Sequence, residues 1–118
     1  MRNLDLEVEM QLVCNHIWPF LKSKNEIPKI LSKQGGSSGS YRPSEHTVYF
    51  RWNVWNKMDV AGKRLLAIHE LYHATGSNHN GAKMFCHGID ILSIEIYKKI
   101  YGEDEYYRRM IDEIRKII

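Results

Sequence analysis

Residues 69–79 read His-Glu-Leu-Tyr-His-Ala-Thr-Gly-Ser-Asn-His, and no other stretch limits the fold of this 118-residue chain so tightly. On a helix, His69 and His73 leave the same face about one turn apart. That separation suits two imidazole nitrogens reaching a single zinc ion at roughly 2.0–2.1 Å each. Glu70, offset by one residue, then lies beside the metal and takes a proton from a water held there without being a ligand itself. Gly76 and His79 complete the pattern H-E-x-x-H-x-x-G-x-x-H. A glycine at that point supplies the left-handed conformation that stops a helix and turns the chain back toward the metal. The run therefore demands a helix ending at Gly76. It nominates His69, His73 and His79 as metal ligands and Glu70 as the general base.

The flanking sequence predicts the scaffold for that helix. Over residues 4–22, Leu6, Met10, Val13, Cys14, Ile17, Phe20 and Leu21 recur at three- and four-residue steps, a helix with one buried face. Pro19 predicts a kink or an early end. Residues 25–33 read as a short strand that Pro28 confines to an edge or a strand start. Residues 35–40, Gly-Gly-Ser-Ser-Gly-Ser, read as a flexible connector. The β-branched and aromatic run that follows predicts the best strand of the chain at residues 46–52, beside the active-site cleft. Asp59 is placed to cap the motif helix, in which Leu65, Ile68, Leu71 and Tyr72 share a face. A helix over residues 83–101 carries a stripe of Phe85, Ile89, Leu92, Ile96 and Ile100, and Gly102 interrupts it. Residues 104–117 form a last helix with Tyr107, Met110, Ile111 and Ile114 in register. The order implies a small single α+β domain over residues 1–118: an N-terminal helix, a short mixed or antiparallel sheet, the motif helix and two C-terminal helices.

Composition is consistent with one domain and a real core, at 43% hydrophobic and 11% aromatic residues. The formal charge of +3 neither demands nor excludes a nucleic-acid partner. Two cysteines, Cys14 and Cys86, are too few for a disulfide framework and read as small buried residues. The N-terminus carries acidic residues where a signal peptide needs an apolar run, and no stretch approaches the length of a membrane span. The expectation is a cytoplasmic protein with no membrane partner.

From residue 41 to about residue 101 the chain resembles the zincin metallopeptidases. The likeness rests on Tyr41-Arg-Pro-Ser-Glu-His-Thr-Val-Tyr-Phe and Leu65-Leu-Ala-Ile-His-Glu-Leu-Tyr-His-Ala-Thr-Gly, which are similar to the edge strand and active-site helix of small intracellular members. ArdC-type antirestriction domains, Sprt-like and WLM-type proteases and minigluzincins are similar in layout, and His79 shares its spacing with the metzincins. The resemblance implies that residues 46–52 line a groove in which substrate backbone adds a strand. It leaves the third ligand open. Metzincin spacing selects His79, the Sprt-like pattern selects His87, and ArdC-type proteins and minigluzincins take a glutamate from the following helix, where Asp90 and Glu95 flank the aligned Ile91. Metzincins also carry a methionine turn beneath the zinc, whereas Met84 and Met110 here sit in helical stripes. Glu45, Asp90 and Glu95 are further candidates to accept a hydrogen bond from a ligand's second ring nitrogen.

Function follows as an expectation: a Zn2+-dependent peptidase acting on a peptide or protein substrate. Resemblance to the minigluzincins adds that the C-terminal helix covers the cleft and keeps the enzyme latent. The alternative is a non-catalytic metal module in DNA or protein interaction, with Arg42, Arg51, Lys57, Lys63 and Arg64 as a basic surface. Tyr72, Tyr97 and Tyr101 are candidate oxyanion donors for which packing is the competing role.

Overall fold

The computed structural model describes residues 1–76 and 91–117. It is an α+β fold in which helices cover one face of a three-stranded mixed sheet. Helix α1 (Leu4–Ile17) begins where Asn3 accepts a hydrogen bond from the Leu6 amide at 3.1 Å, an N-cap that satisfies an otherwise orphaned donor. Met10, Cys14 and Ile17 form its fully buried stripe. Pro19 ends the helix rather than kinking it: the chain continues as a 3-10 turn, Trp18–Leu21. The turn carries Phe20 into solvent, outside the expected stripe, and Glu7 is buried on the helix instead.

Strand β1 (Lys29–Lys33) starts directly after Pro28 and occupies a sheet edge, where a missing amide donor is tolerated. Strand β2 (Gly39–Arg42) forms the other edge and β3 (Thr47–Arg51) the centre, in the order β1-β3-β2. β1 runs parallel to β3, pairing Ile30 with Val48 and Ser32 with Phe50. β2 runs antiparallel to it, pairing Gly39 with Phe50 and Tyr41 with Val48. The expected connector is thus shorter than read, because Gly39 and Ser40 belong to β2. Side chains alternate across the strands, so Ile30, Val48 and Phe50 point together into the core.

A single turn, α2 (Trp52–Trp55), drops Trp55 onto Phe50 with ring centroids 4.9 Å apart. Helix α3 (Val60–Ala74) carries the motif and buries Leu65, Ile68 and Leu71 against α1 and the sheet. Burial of each such side chain contributes roughly 1.5–3 kcal/mol. Helix α4 (Ile91–Tyr101) packs on α3 through Ser93, Ile94 and Tyr97. That face differs from the expected one: Leu92, Ile96 and Ile100 are only partly buried, while Phe85 and Ile89 lie outside the described residues. The reason is Tyr97, whose ring fills the core while its hydroxyl reaches Arg64 at 3.0 Å and Asp104 at 3.3 Å. Helix α5 (Glu105–Ile117) follows Gly102 and buries Met110, with Asp104 accepting from the Tyr107 amide at its start. Among the described residues no helix is long and apolar enough to cross a membrane.

Candidate metal centre

Two caps fix the motif helix. At its start Asp59 accepts from the Gly62 amide at 2.8 Å, as the sequence predicts. At its end Thr75 returns its hydroxyl to the Tyr72 carbonyl at 2.6 Å, and Gly76 takes φ +84°, the left-handed step expected of it. The side-chain amide of Asn25 donates to the Ala74 carbonyl at 3.2 Å, tying the segment before β1 to the last turn.

Between these caps the helix brings His69, Glu70 and His73 together. A ring nitrogen from each histidine and a carboxylate oxygen of Glu70 all lie within 4.8 Å of one another. The two rings are 5.1 Å apart and nearly perpendicular at 80°, as i and i+4 side chains leaving one face should be. Both histidines are partly exposed, whereas Glu70 is 5% exposed. Burial raises the Glu70 pKa above the usual carboxylate range, with the charges of His69 and Lys33 acting against the rise. Two imidazoles and a carboxylate form a donor set that fits a borderline divalent ion such as zinc. The cluster is thus able to hold a metal ion.

An open cleft of about 490 Å³ borders this cluster, walled by Glu70, His73 and Gly76 on one side and by Tyr41, Pro43 and Asn25 on the other. The strand along it is β2, not the expected 46–52 segment. That run is the most apolar of the three and therefore takes the sheet centre, where both of its edges are already paired. β2, by contrast, has no strand on its outer edge among the described residues. Gly39 is what lets it come so close: a Cβ there would sit 2.7 Å from Glu70 Oε2 and 2.8 Å from its Cγ. Tyr41 follows on the same face, its hydroxyl 2.7 Å from His46 Nδ1, while His46 Nε2 donates to the Glu26 carbonyl at 2.6 Å. Sequence reasoning missed Gly39 and Asn25. Gly39 lies in a run that reads as a linker, and a glycine two residues before an aromatic, on the same strand face as it, is the available signal.

The remaining candidates separate. His79, His87 and Asp90 lie outside the described residues, as does Cys86. Glu95 is exposed on α4 beside Leu92, Lys98 and Lys99 and is not part of the histidine cluster. Glu45 accepts from the Tyr49 hydroxyl at 3.2 Å rather than from a motif histidine. Tyr97 and Tyr101 are packing residues around Arg64, whose guanidinium carbon stands 3.9 Å from the Tyr101 centroid. Among the described residues that line the cleft none belongs to α5, contrary to the expected cover. Met110, Asp112 and Glu113 of α5 instead share a surface pocket with Asp59 at the start of α3. The expected basic surface also divides: Lys63 pairs with Glu9 and Arg64 with Asp104, Lys57 is exposed after α2, and Arg42, which meets Glu45, lies with Arg51 on the sheet. Comparison with known protein families, curated proteins and solved structures found no match for the chain.

Proposed function

We propose that this chain is a zinc-dependent peptidase. The observation that carries the reading is a buried carboxylate held between two imidazoles at the end of a capped helix, facing a cleft whose strand edge is unpaired among the described residues. His69 and His73 supply two ligands, and His79 is the proposed third. A divalent ion held there would supply Lewis acidity for the hydrolysis.

The protein's own residues do the rest. The outer edge of β2 offers backbone donors and acceptors, so an extended peptide adds there as a further strand and presents its scissile bond over the helix. Glu70 accepts a proton from the attacking water and returns it to the departing amine. Its burial raises its pKa and so makes it the stronger base for the first of those transfers.

The test combines metal content with turnover. Elemental analysis of the wild-type protein is expected to give one zinc per chain, lost in His69→Ala, His73→Ala and His79→Ala and kept in His87→Ala. Glu70→Gln is expected to keep the metal and abolish cleavage of a fluorogenic peptide library. Wild-type turnover by Glu70→Gln, or a wild-type chain without stoichiometric metal, overturns the proposal. Full metal occupancy with no cleavage of any peptide leaves a binding module instead.

A further inference from the structure

The helices cover the Ile30, Val48 and Phe50 face of the sheet, and the opposite face has a chemistry of its own. Alternation along the strands sends Lys29, Leu31 and Lys33 from β1, Thr47, Tyr49 and Arg51 from β3, and Ser40 and Arg42 from β2 to that side. None of the three strands contains an acidic residue. A carboxylate beside the face is Glu45, at the turn between β2 and β3, where it meets the Tyr49 hydroxyl at 3.2 Å and Arg42 at 3.8 Å.

Arg42 thus has a carboxylate partner, whereas Lys33 and Arg51 are held by uncharged groups. Lys33 directs its amine to the hydroxyls of Ser37 and Ser40, each at 3.2 Å. Arg51 donates to Asn53 Oδ1 at 3.0 Å and to the Gly36 carbonyl at 3.1 Å. All four acceptors are uncharged. Lys33 also sits directly opposite Arg51 in the parallel register, a like-charge pair that costs stability. Burial lowers the Lys33 pKa, and the charges of Arg42 and Arg51 lower it further against the opposing pull of Glu70. At the centre, the Arg42 guanidinium lies 4.9 Å from the Tyr49 ring centroid, a flat cationic and aromatic surface.

We propose that this sheet face binds single-stranded nucleic acid. Phosphates pair with Lys33, Arg42 and Arg51, and an unstacked base lies on the Arg42–Tyr49 surface. Charge complementarity selects a polyanion, and the aromatic plane among the cations selects one that carries bases. A base lying on the Arg42–Tyr49 surface must be unpaired to reach it, so a single strand fits better than a duplex. Three short strands span roughly 10 Å by 16 Å, room for on the order of four nucleotides. The inference does not depend on the peptidase reading, because none of its residues belongs to the histidine cluster.

The experiment is fluorescence anisotropy with a labelled oligothymidylate at low and rising salt, on the full chain. Binding is expected to fall with salt at a slope of roughly −2 to −3 on logarithmic axes, as three or four phosphate contacts require. Lys33→Glu and Arg51→Glu are each expected to weaken it about tenfold or more and to flatten that slope, and Tyr49→Ala to weaken it about fivefold or more. Lys98→Glu, the same charge change on the exposed side of α4, is expected to alter affinity less than twofold. Arg51→Gln serves where the Glu variant loses its far-ultraviolet circular dichroism. Absence of binding at low salt overturns the proposal. So does equal loss in Lys98→Glu, or a duplex or polyglutamate bound as tightly as the oligothymidylate.

Discussion

Gly39→Ala isolates the contact that shapes the candidate centre. The added methyl would lie 2.7 Å from Glu70 Oε2 and 2.8 Å from Cγ, closer than real Cβ contacts come, and a tight 3.1 Å from Cδ. The Glu70 side chain is 5% exposed, so it cannot swing into solvent without moving its neighbours. Forcing a methyl into such a site costs about 1–3 kcal/mol. At typical unfolding entropies for a chain of this length, each kcal/mol lowers the midpoint by roughly 4 °C, so a fall of about 4–12 °C is expected. The assay is thermal unfolding followed by circular dichroism, read as a double-mutant cycle. In a Glu70→Ala background the obstruction is gone, and adding Gly39→Ala is expected to change the midpoint by less than about 2 °C, a coupling close to the whole cost. Gly35→Ala, where a Cβ meets nothing within 4 Å, is the neutral control. A Gly39→Ala protein as stable as wild type, or one whose loss persists without the Glu70 side chain, would refute the close approach of β2 to α3.

Two further outcomes test the scaffold. Glu7 binds Arg2 at 2.7 Å and the Ser32 hydroxyl at 2.6 Å, and its pKa falls from 4.5 to about 2, chiefly through the Arg2 hydrogen bond, with burial opposing and Ser32 assisting. A depressed carboxylate stabilises the fold above its unfolded pKa, so the benefit of Glu7 over Glu7→Gln is expected to hold near neutrality and vanish as pH falls from about 4.5 through about 2. Because Arg2 is half exposed, solvent screening reduces that benefit to about 1–2 kcal/mol, measured by urea unfolding across pH. Arg64 joins α3 to α4 and α5 through Tyr97, Asp104 and the Tyr101 ring, and Arg64→Ala is expected to cost about 2–3 kcal/mol in the same assay. Arg64→Lys keeps the charge but not the planar stacking, and is expected to recover less than half of that loss.

Local signals in the sequence located most of the helical frame. Asp59 and Gly76 bounded α3 because capping and left-handed turns depend on a few adjacent residues. Pro28 marked the start of β1 and Pro19 the end of α1 for the same reason. Faces were harder to read. The α4 stripe was drawn through Leu92 and Ile96, yet Tyr97 went inward because Arg64 and Asp104, distant in sequence, satisfy its hydroxyl. The strand bordering the cleft has no local signature either, since strand order depends on which edges pair, and a run of glycine and serine gives no pairing signal.

The histidine–glutamate–histidine arrangement needed nothing beyond a helix: once residues 60–74 coil, a spacing of four residues puts both imidazoles on one side. What only the folded chain decided is the surroundings of that trio. Folding buried Glu70, laid a glycine of an edge strand against it, moved α5 to the far end of the motif helix and gathered the lysine and arginines on the opposite sheet face. Helical geometry repeats within a turn and is written in neighbouring residues. Burial and sheet order arise from packing between segments far apart in the chain, where no local pattern reaches.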